Sequence, residues 1–336
     1  MAVPDPNKAA RPLEGAALEA ALVRLANVEV TGTVLVNSPL YRLLDVDLGQ
    51  HHLEAVVSLA DFAGYALTMD LLETELVNAL ATTAPGRVSD VQPGVAGSLP
   101  LRGIYLPTVS SALALDKRLC VGGPVALLAA ARRDTRGQGG PDYVLLLQER
   151  SARVLNATGR LAVVPKAFHG PTVEAGREAR LSASLERELE EELLGRQDLE
   201  GLLEGSHRQA DPFHTDRLSE PMRWLLDRRH TDAYRAECVG FGINMVSGNF
   251  EFPCLILIDD DEWWARYGGK VNANWELEQI QLYSSRDTAG LQALIMDRRW
   301  SNEGLFAFLE GLRRLATLGS VSRLALPTIE MRRDGG

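Results

Sequence analysis

Glutamate residues are concentrated in one short stretch of the chain, LSASLERELEEELLGR (181–196). Glu188, Glu191 and Glu192 are separated by three and four positions, so in an α-helix they project to one side. Like charges at this spacing repel one another by about 0.2–0.5 kcal/mol per pair. A divalent cation would reverse the sign of that interaction, and carboxylate oxygens suit Mg²⁺ or Mn²⁺. The alternative is a solvated helix face, because glutamate is a good helix former and is commonly exposed.

The apolar residues of the same stretch predict the helix itself. Leucines recur every four positions and form one face that suits packing on a sheet; they are Leu181, Leu185, Leu189 and Leu193. Serines at the start of the stretch suit a helix N-cap, and Gly195 suits its C-terminal end. Glu186 and Glu190 are interpreted as residues that only solvate the helix.

The order of residues in RELEEE (187–192) resembles the R-E-U-x-E-E core of the Nudix box, in which U is a bulky aliphatic residue. The context is similar as well, because two apolar segments and a loop containing proline and glycine precede the helix. That loop departs from the family pattern. It is longer than the pattern, and Pro165, Lys166 and Ala167 stand where the family has Pro-Gly-Gly.

The resemblance to the Nudix hydrolase superfamily implies an α+β fold, a Nudix-type α/β/α sandwich with a mixed sheet, over residues 115–320. It implies that Glu188, Glu191 and Glu192 are metal ligands for Mg²⁺ or Mn²⁺. It also implies that Glu191 and Glu192 are catalytic, and that Arg187 orients a glutamate through an ion pair. The implied reaction is hydrolysis of a nucleoside diphosphate linked to another moiety.

Two residues of the loop before the helix, Lys166 and His169, are candidates for contact with the phosphates of a substrate. The expected ligand is a small phosphorylated, nucleotide-like molecule. The alternative function is a catalytically weak or inactive Nudix-like module that senses such a ligand or regulates a partner. If the glutamate helix is only a solvated face, a structural or interaction protein is the third reading.

The rest of the chain predicts the elements around this helix. Apolar or alternating segments predict strands, and 3.6-residue periodicity predicts helices. The strands are expected within 123–133, 142–151, 160–167, 237–246, 250–259 and 275–283, and later helices within 220–229, 288–296 and 302–318. The aspartates that follow the strand at 250–259 are expected to cap a helix.

The first part of the chain is expected to be a smaller, mainly helical module of unknown role at 15–114. Helices are predicted at 16–27 and across 52–80, a strand at 28–36, and a linker or long loop at 82–100, which is rich in Gly, Pro and Ser. Residues 1–14 are predicted to be a disordered tail, and residues 321–336 a C-terminal tail.

Composition limits the possible partners. The 336 residues are 46% hydrophobic and carry a formal net charge of −10. An acidic chain gains little from counterion release, so binding to a nucleic-acid duplex is not expected. No apolar run is long enough for a membrane span, and no signal peptide is recognisable, so no membrane partner and a cytoplasmic location are predicted. The three cysteines form no CxxC pair, and neither a disulfide framework nor a zinc site is predicted from them.

Overall fold

The computed structural model describes residues 13–33, 35–49, 52–82, 99–133, 140–150, 159–172, 174–194, 218–271 and 277–329. The chain divides into two compact units, and each is built from more than one stretch of sequence. The first comprises 1–123, 168–180 and 242–251, and the second comprises 124–167, 181–241 and 252–336. The predicted tail at 1–14 and the predicted linker at 82–100 lie mostly outside the described residues.

The described residues combine helices and strands, which confirms a mixed α+β protein. In chain order the helices are α1 Ala16–Thr31, α2 Phe62–Ala66, α3 Leu71–Thr82, α4 Pro100–Tyr105, α5 Val109–Leu113, α6 Ala175–Glu178, α7 Leu181–Glu188, α8 Glu220–Asp227, α9 Asp261–Tyr267, α10 Thr288–Ile295 and α11 Asn302–Leu318. The strands are β1 Pro39–Leu48, β2 Leu53–Asp61, β3 Gly122–Arg132, β4 Asp142–Arg150, β5 Leu161–Val163, β6 Tyr234–Cys238, β7 Gly242–Ile243, β8 Phe250–Ile258 and β9 Leu277–Ser284.

A large sheet contains seven of the described strands. Its central order is β5-β4-β3-β8-β6, with β9 on β4 and β7 on β8. Strand β4 is antiparallel to β3, β5 and β9, and β8 is antiparallel to β6 and β7. The first residue of β8, Phe250, donates its N–H to the carbonyl of Val121, which directly precedes β3. At the other end, the Arg323 side chain donates both to the carbonyl of Arg132, the last residue of β3, and to Asp261, just after β8. The starts of the two strands are thus adjacent, and so are their ends. The two strands therefore run in the same direction, and the sheet is mixed.

The core of the second unit lies on one face of this sheet. Alternate residues of β3, Val125, Leu127, Ala129 and Ala131, belong to one buried cluster with side chains from α10 and α11. Helix α11 approaches closely at Gly311, where a Cβ atom would stand 2.7 Å from the Leu127 Cβ. The opposite face of β3 is buried as well, because Ala126, Leu128 and Ala130 are fully buried.

The first unit contains α1 to α5 and the antiparallel pair β1–β2. The helix predicted across 52–80 is wrong at its start, because residues 53–61 form strand β2. Leu53, Val56 and Val57 also fit a helical stripe. However, β-branched valines favour strands, and pairing with β1 satisfies the backbone hydrogen bonds.

The strand predicted at 28–36 is wrong as well, because α1 continues to Thr31. The helix ends at Gly32, whose φ of 64° is left-handed and whose N–H donates to the Val28 carbonyl. The alternating residues before Gly32 resemble a strand, but a glycine at this position is typical of a helix C-terminus.

The predicted strands and helices of the second unit overlap β3 to β5, β8, β9, α8, α10 and α11. The strand predicted at 237–246 is wrong in its bounds, because β6 ends at Cys238 and only Gly242–Ile243, β7, continues as strand. Gly240 lies in the interruption, where a residue without a side chain weakens a strand.

Among the described residues, no helix is both long and apolar enough to cross a lipid bilayer.

Candidate functional site

The glutamate stretch begins as an α-helix and changes form within the Nudix-like motif. Helix α7 ends at Glu188, and Leu189–Leu193 form a single π-helical turn. A π-turn contains one extra residue per hydrogen-bonded ring, so it alters the angular offsets that a continuous α-helix gives. The expectation that Glu188, Glu191 and Glu192 project together assumed a continuous helix. Gly195, the expected helix end, lies outside the described residues.

Burial increases along this segment. The side chains of Glu186 and Glu188 are 22% and 14% exposed, whereas residues Glu190, Glu191 and Glu192 are 0%, 7% and 1% exposed. Three consecutive buried carboxylates need positive charge or hydrogen-bond donors, because burial alone strongly disfavours their ionised form. The segment is therefore not a solvated face.

The interpretation of Glu190 as a solubility residue is wrong. Its Oε1 accepts a hydrogen bond from the Ser219 N–H at 2.6 Å, and its Oε2 accepts one from the Ser219 hydroxyl at 2.7 Å. Ser219 is the N-cap of α8, where its hydroxyl also accepts from the Met222 N–H. Glu190 therefore fixes the start of a second helix. Glu186 lies nearer the surface, where it pairs with Arg229 at 3.1 Å.

Replacing Glu190 with alanine is expected to lower the free energy of unfolding by about 1–3 kcal/mol, because two donors of Ser219 lose their buried acceptor. Glu186→Ala is the matched control on the same helix, and its loss is expected to stay below about 1 kcal/mol, as for exposed ion pairs. Urea unfolding followed by circular dichroism measures both. Equal losses in the two variants would contradict the role of Glu190 as the buried acceptor that holds Ser219.

Glu192 is held by the loop that precedes the helix. The Ala126 N–H donates to the Pro165 carbonyl and the Ala167 N–H donates to the Pro124 carbonyl, so the loop pairs with β3. Successive amides of an extended segment point to opposite sides, so the Lys166 N–H points away from β3. It donates to Glu192 Oε2 at 3.0 Å. The Val164–Pro165 peptide bond in this loop is cis.

The side chain of Lys166 contacts a residue that the sequence pattern did not single out. Its ammonium forms an ion pair with Glu303 in the first turn of α11, and the two side chains are 16% and 11% exposed. Burial is the largest influence on the Glu303 carboxyl and opposes its ionisation. The Lys166 charge and hydrogen bonds outweigh it, so the pKa of Glu303 is lower than usual.

This lowered pKa predicts a pH dependence of stability. A carboxyl whose pKa is lower in the folded than in the unfolded state stabilises the fold above its unfolded pKa, about 4.3 for glutamate. That stabilisation is lost as the pH falls through the folded pKa. Urea unfolding of the wild type and of Glu303→Gln between pH 7 and pH 3 is expected to show a difference that shrinks below about pH 4.3. A difference that is constant over this range would contradict the prediction.

Arg187 is 3% exposed, and its Nε lies 3.4 Å from Glu188 Oε1. The structure thus places this guanidinium beside one glutamate of the motif. Its role in orienting a catalytic glutamate stays a prediction.

His169 belongs to the first unit, whereas Lys166 and the glutamates belong to the second. It is 2% exposed, its Nε2 lies 3.0 Å from the Ala179 carbonyl, and its ring centroid is 4.5 Å from that of Tyr41. These contacts hold the imidazole within the packing of its own unit. Contact of His169 with a substrate stays a prediction.

The predicted metal ligands match Mg²⁺ or Mn²⁺ in chemistry, since carboxylate oxygens are the donors that these hard cations prefer. Their arrangement gives less support. Within the described residues, no three His, Cys, Asp or Glu side chains are grouped so that they could hold a metal ion. Glu188, Glu191 and Glu192 therefore fit the cation by donor type, and their binding of a metal stays a prediction.

Two further residues make contacts that were not found from the sequence. Glu303 follows Ser301, which caps α11, so a capping pattern signals the helix start but not the pairing with Lys166. Gln148 is fully buried on β4, where its Nε2 donates to the Val163 carbonyl at 2.9 Å. Its Oε1 has no hydrogen-bond partner in the part of the chain that the structure describes. No spacing rule predicts either contact.

One of the aspartates after β8 caps a helix, as the sequence predicted. Asp260 is the N-cap of α9 and accepts a hydrogen bond from the Glu262 N–H at 2.8 Å.

Comparison of the chain with models of known protein families and with curated proteins gives no match.

Proposed function

We propose that this protein is a Nudix-type pyrophosphohydrolase, which hydrolyses a nucleoside diphosphate linked to another moiety with the help of Mg²⁺ or Mn²⁺. The observation that carries the proposal is the burial of Glu191 and Glu192 at the end of a helix that follows a sheet-paired loop. Burying adjacent carboxylates is costly, and a bound cation is one source of compensating charge. The order of residues in the motif supports the same conclusion.

In this proposal, Glu188, Glu191 and Glu192 hold the metal, and Glu191 and Glu192 act in catalysis. A bound Mg²⁺ or Mn²⁺ would neutralise phosphate charge and lower the pKa of a bound water. The Lys166 amide fixes one oxygen of Glu192, and Arg187 lies against Glu188. The chain thus orients the carboxylates through backbone and guanidinium contacts, so their rotamers are set before a ligand arrives.

The proposed fold is the Nudix α/β/α sandwich. Helices α10 and α11 cover one face of the mixed sheet. The opposite face of β3 is also buried, and so are Leu185 of α7 and Leu189 and Leu193 of the π-turn. We assign α7 and the π-turn to that second layer. The proposed location is the cytoplasm, and the proposed ligand is a small nucleotide-like molecule, with no duplex nucleic acid as partner.

A second candidate is a Nudix-like module that binds a nucleotide-like ligand without efficient chemistry. Two observations favour it. The described residues contain no three grouped metal-binding side chains, and the Lys166 ammonium is paired with Glu303. A site of this kind would bind the ligand and transmit its presence through the protein rather than hydrolyse it.

The two candidates differ in one assay. The full chain is incubated with Mn²⁺ or Mg²⁺ and, separately, with ADP-ribose, NADH, dinucleoside polyphosphates and nucleoside triphosphates, and products are separated by chromatography. If the protein is a hydrolase, a monophosphate product forms with the metal and does not form when EDTA is present from the start. Binding of one compound by calorimetry without any product would support the sensor. Absence of both would reject both candidates.

A further inference from the structure

Two cysteines lie opposite each other in the second unit. Cys238 on β6 and Cys254 on β8 are direct partners in the antiparallel register. No local pattern pairs them, because 15 residues separate them along the chain and no CxxC motif is present. The pairing of β6 with β8 nevertheless places the two cysteines side by side.

The hydrogen bonds of the two strands define the geometry of the pair. The Val239 N–H donates to the Pro253 carbonyl at 2.8 Å, so positions 239 and 253 are a hydrogen-bonded pair. Cys238 and Cys254, one step along, are therefore a non-hydrogen-bonded pair. In such pairs the Cα atoms are about 4.5 Å apart and the side chains lie on the same face, closer than in hydrogen-bonded pairs. A disulfide requires Cα atoms about 4.4–6.8 Å apart, so this position accommodates one.

The two thiols have different environments. Cys238 is exposed and its Sγ lies 3.2 Å from the Gly240 carbonyl, whereas Cys254 is fully buried and its Sγ lies 3.3 Å from the Phe252 carbonyl. The neighbouring thiol lowers the pKa of Cys238, whereas Cys238 and burial raise the pKa of Cys254. The accessible sulfur is thus the more acidic, as an attacking thiolate requires.

We propose that Cys238 and Cys254 form a reversible oxidation site, which a hydroperoxide converts into a cross-strand disulfide. The Cys238 thiolate attacks one peroxide oxygen, the O–O bond breaks, and the alcohol or water leaves with the proton that the thiol released. The sulfur of Cys254 then attacks the sulfenic acid of Cys238. The S–O bond breaks, and hydroxide leaves as water with the Cys254 proton. Two thiols lose two electrons, and the peroxide gains them.

The disulfide would join β6 to β8 in the second unit and close the chain between residues 238 and 254. That segment contains Gly242–Glu251, which belongs to the first unit. A dithiol reductant reverses the reaction, as expected for a disulfide in a reducing compartment. This proposal is independent of the proposed hydrolase activity.

The test uses the full chain and hydrogen peroxide. The reduced protein is treated with a small excess of peroxide, unfolded in urea with iodoacetamide, and analysed by intact mass and peptide mapping. We expect two of the three cysteines to escape labelling, a mass lower by two hydrogens before labelling, and one crosslink between Cys238 and Cys254. Dithiothreitol should restore all three thiols.

Variants separate the two steps. In Cys254→Ala, Cys238 should stop at the sulfenic acid, which dimedone captures, and Cys120→Ser should form the disulfide as the wild type does. Three labelled cysteines after peroxide, a crosslink that includes Cys120, or a crosslink only between two chains would overturn the proposal. The wild-type crosslink map decides the question even if Cys254→Ala does not fold.

Discussion

Replacing Glu192 with glutamine is expected to lower metal-dependent hydrolysis at least about 100-fold, because a metal ligand contributes several kcal/mol to the stability of the transition state. Glutamine has nearly the same shape and keeps a side-chain oxygen. It can still accept the hydrogen bond that the Lys166 N–H gives to Glu192 in the wild type. The substitution therefore removes the charge while keeping the loop contact. Turnover with Mn²⁺ and binding of Mn²⁺ by calorimetry are the two measurements.

Glu186→Gln is the matched control, since Glu186 lies on the same helix and pairs with Arg229 near the surface. Its turnover and Mn²⁺ affinity should stay within about twofold of the wild type, in line with the small energies of exposed pairs. If Glu192→Gln binds Mn²⁺ and turns over as Glu186→Gln does, Glu192 is not a metal ligand. If only the unfolding temperature of Glu192→Gln falls, its carboxylate is structural.

Lys166→Met is expected to cost about 3 kcal/mol of unfolding free energy, because it leaves the Glu303 carboxylate buried without its counter-charge. This value is at the lower end for buried pairs, since Lys166 retains some exposure. Methionine keeps the aliphatic packing of the lysine stem, so the change reports mainly on charge. Urea unfolding at pH 7 measures the loss.

The double variant Lys166→Met with Glu303→Leu should recover most of that loss, because an apolar pair of similar volume removes both buried charges. The cycle of single and double variants then isolates the coupling between the two side chains. A loss below about 0.5 kcal/mol in Lys166→Met would place the pair among exposed ion pairs. Losses that simply add in the double variant would show that the side chains act independently.

The sequence predicted the second unit better than the first, for a physical reason. Strands β3 and β4 contain the continuous apolar runs 124–131 and 143–147, bounded by turn or polar residues, so their local pattern predicts only strands. The segment Leu53–Asp61 is ambiguous, since its apolar residues fit both one face of a helix and a strand. Pairing with Pro39–Leu48 decides between them, and that contact is not local in sequence.

The sequence predicted which residue types form the candidate site, but not how their side chains are arranged. The motif at 187–192 identifies the carboxylates, yet the hydrogen-bond partner of the buried Glu190 is Ser219, 29 residues away. Lys166 was predicted to meet phosphates, and Glu303, which it contacts, lies 137 positions further along. Side-chain partners at such distances leave no periodic signal in a single sequence.

The interleaved composition of the two units has a consequence for synthesis on the ribosome. The first unit includes 242–251, and two of its hydrogen bonds depend on that segment: Asn249 donates to the Tyr65 hydroxyl and Arg118 donates to the Gly248 carbonyl. Translation from residue 123 to residue 251 takes on the order of 10 s at usual rates. During that interval the N-terminal part of the nascent chain lacks these partners. The first unit to begin emerging is thus unable to finish folding until most of the chain has been made.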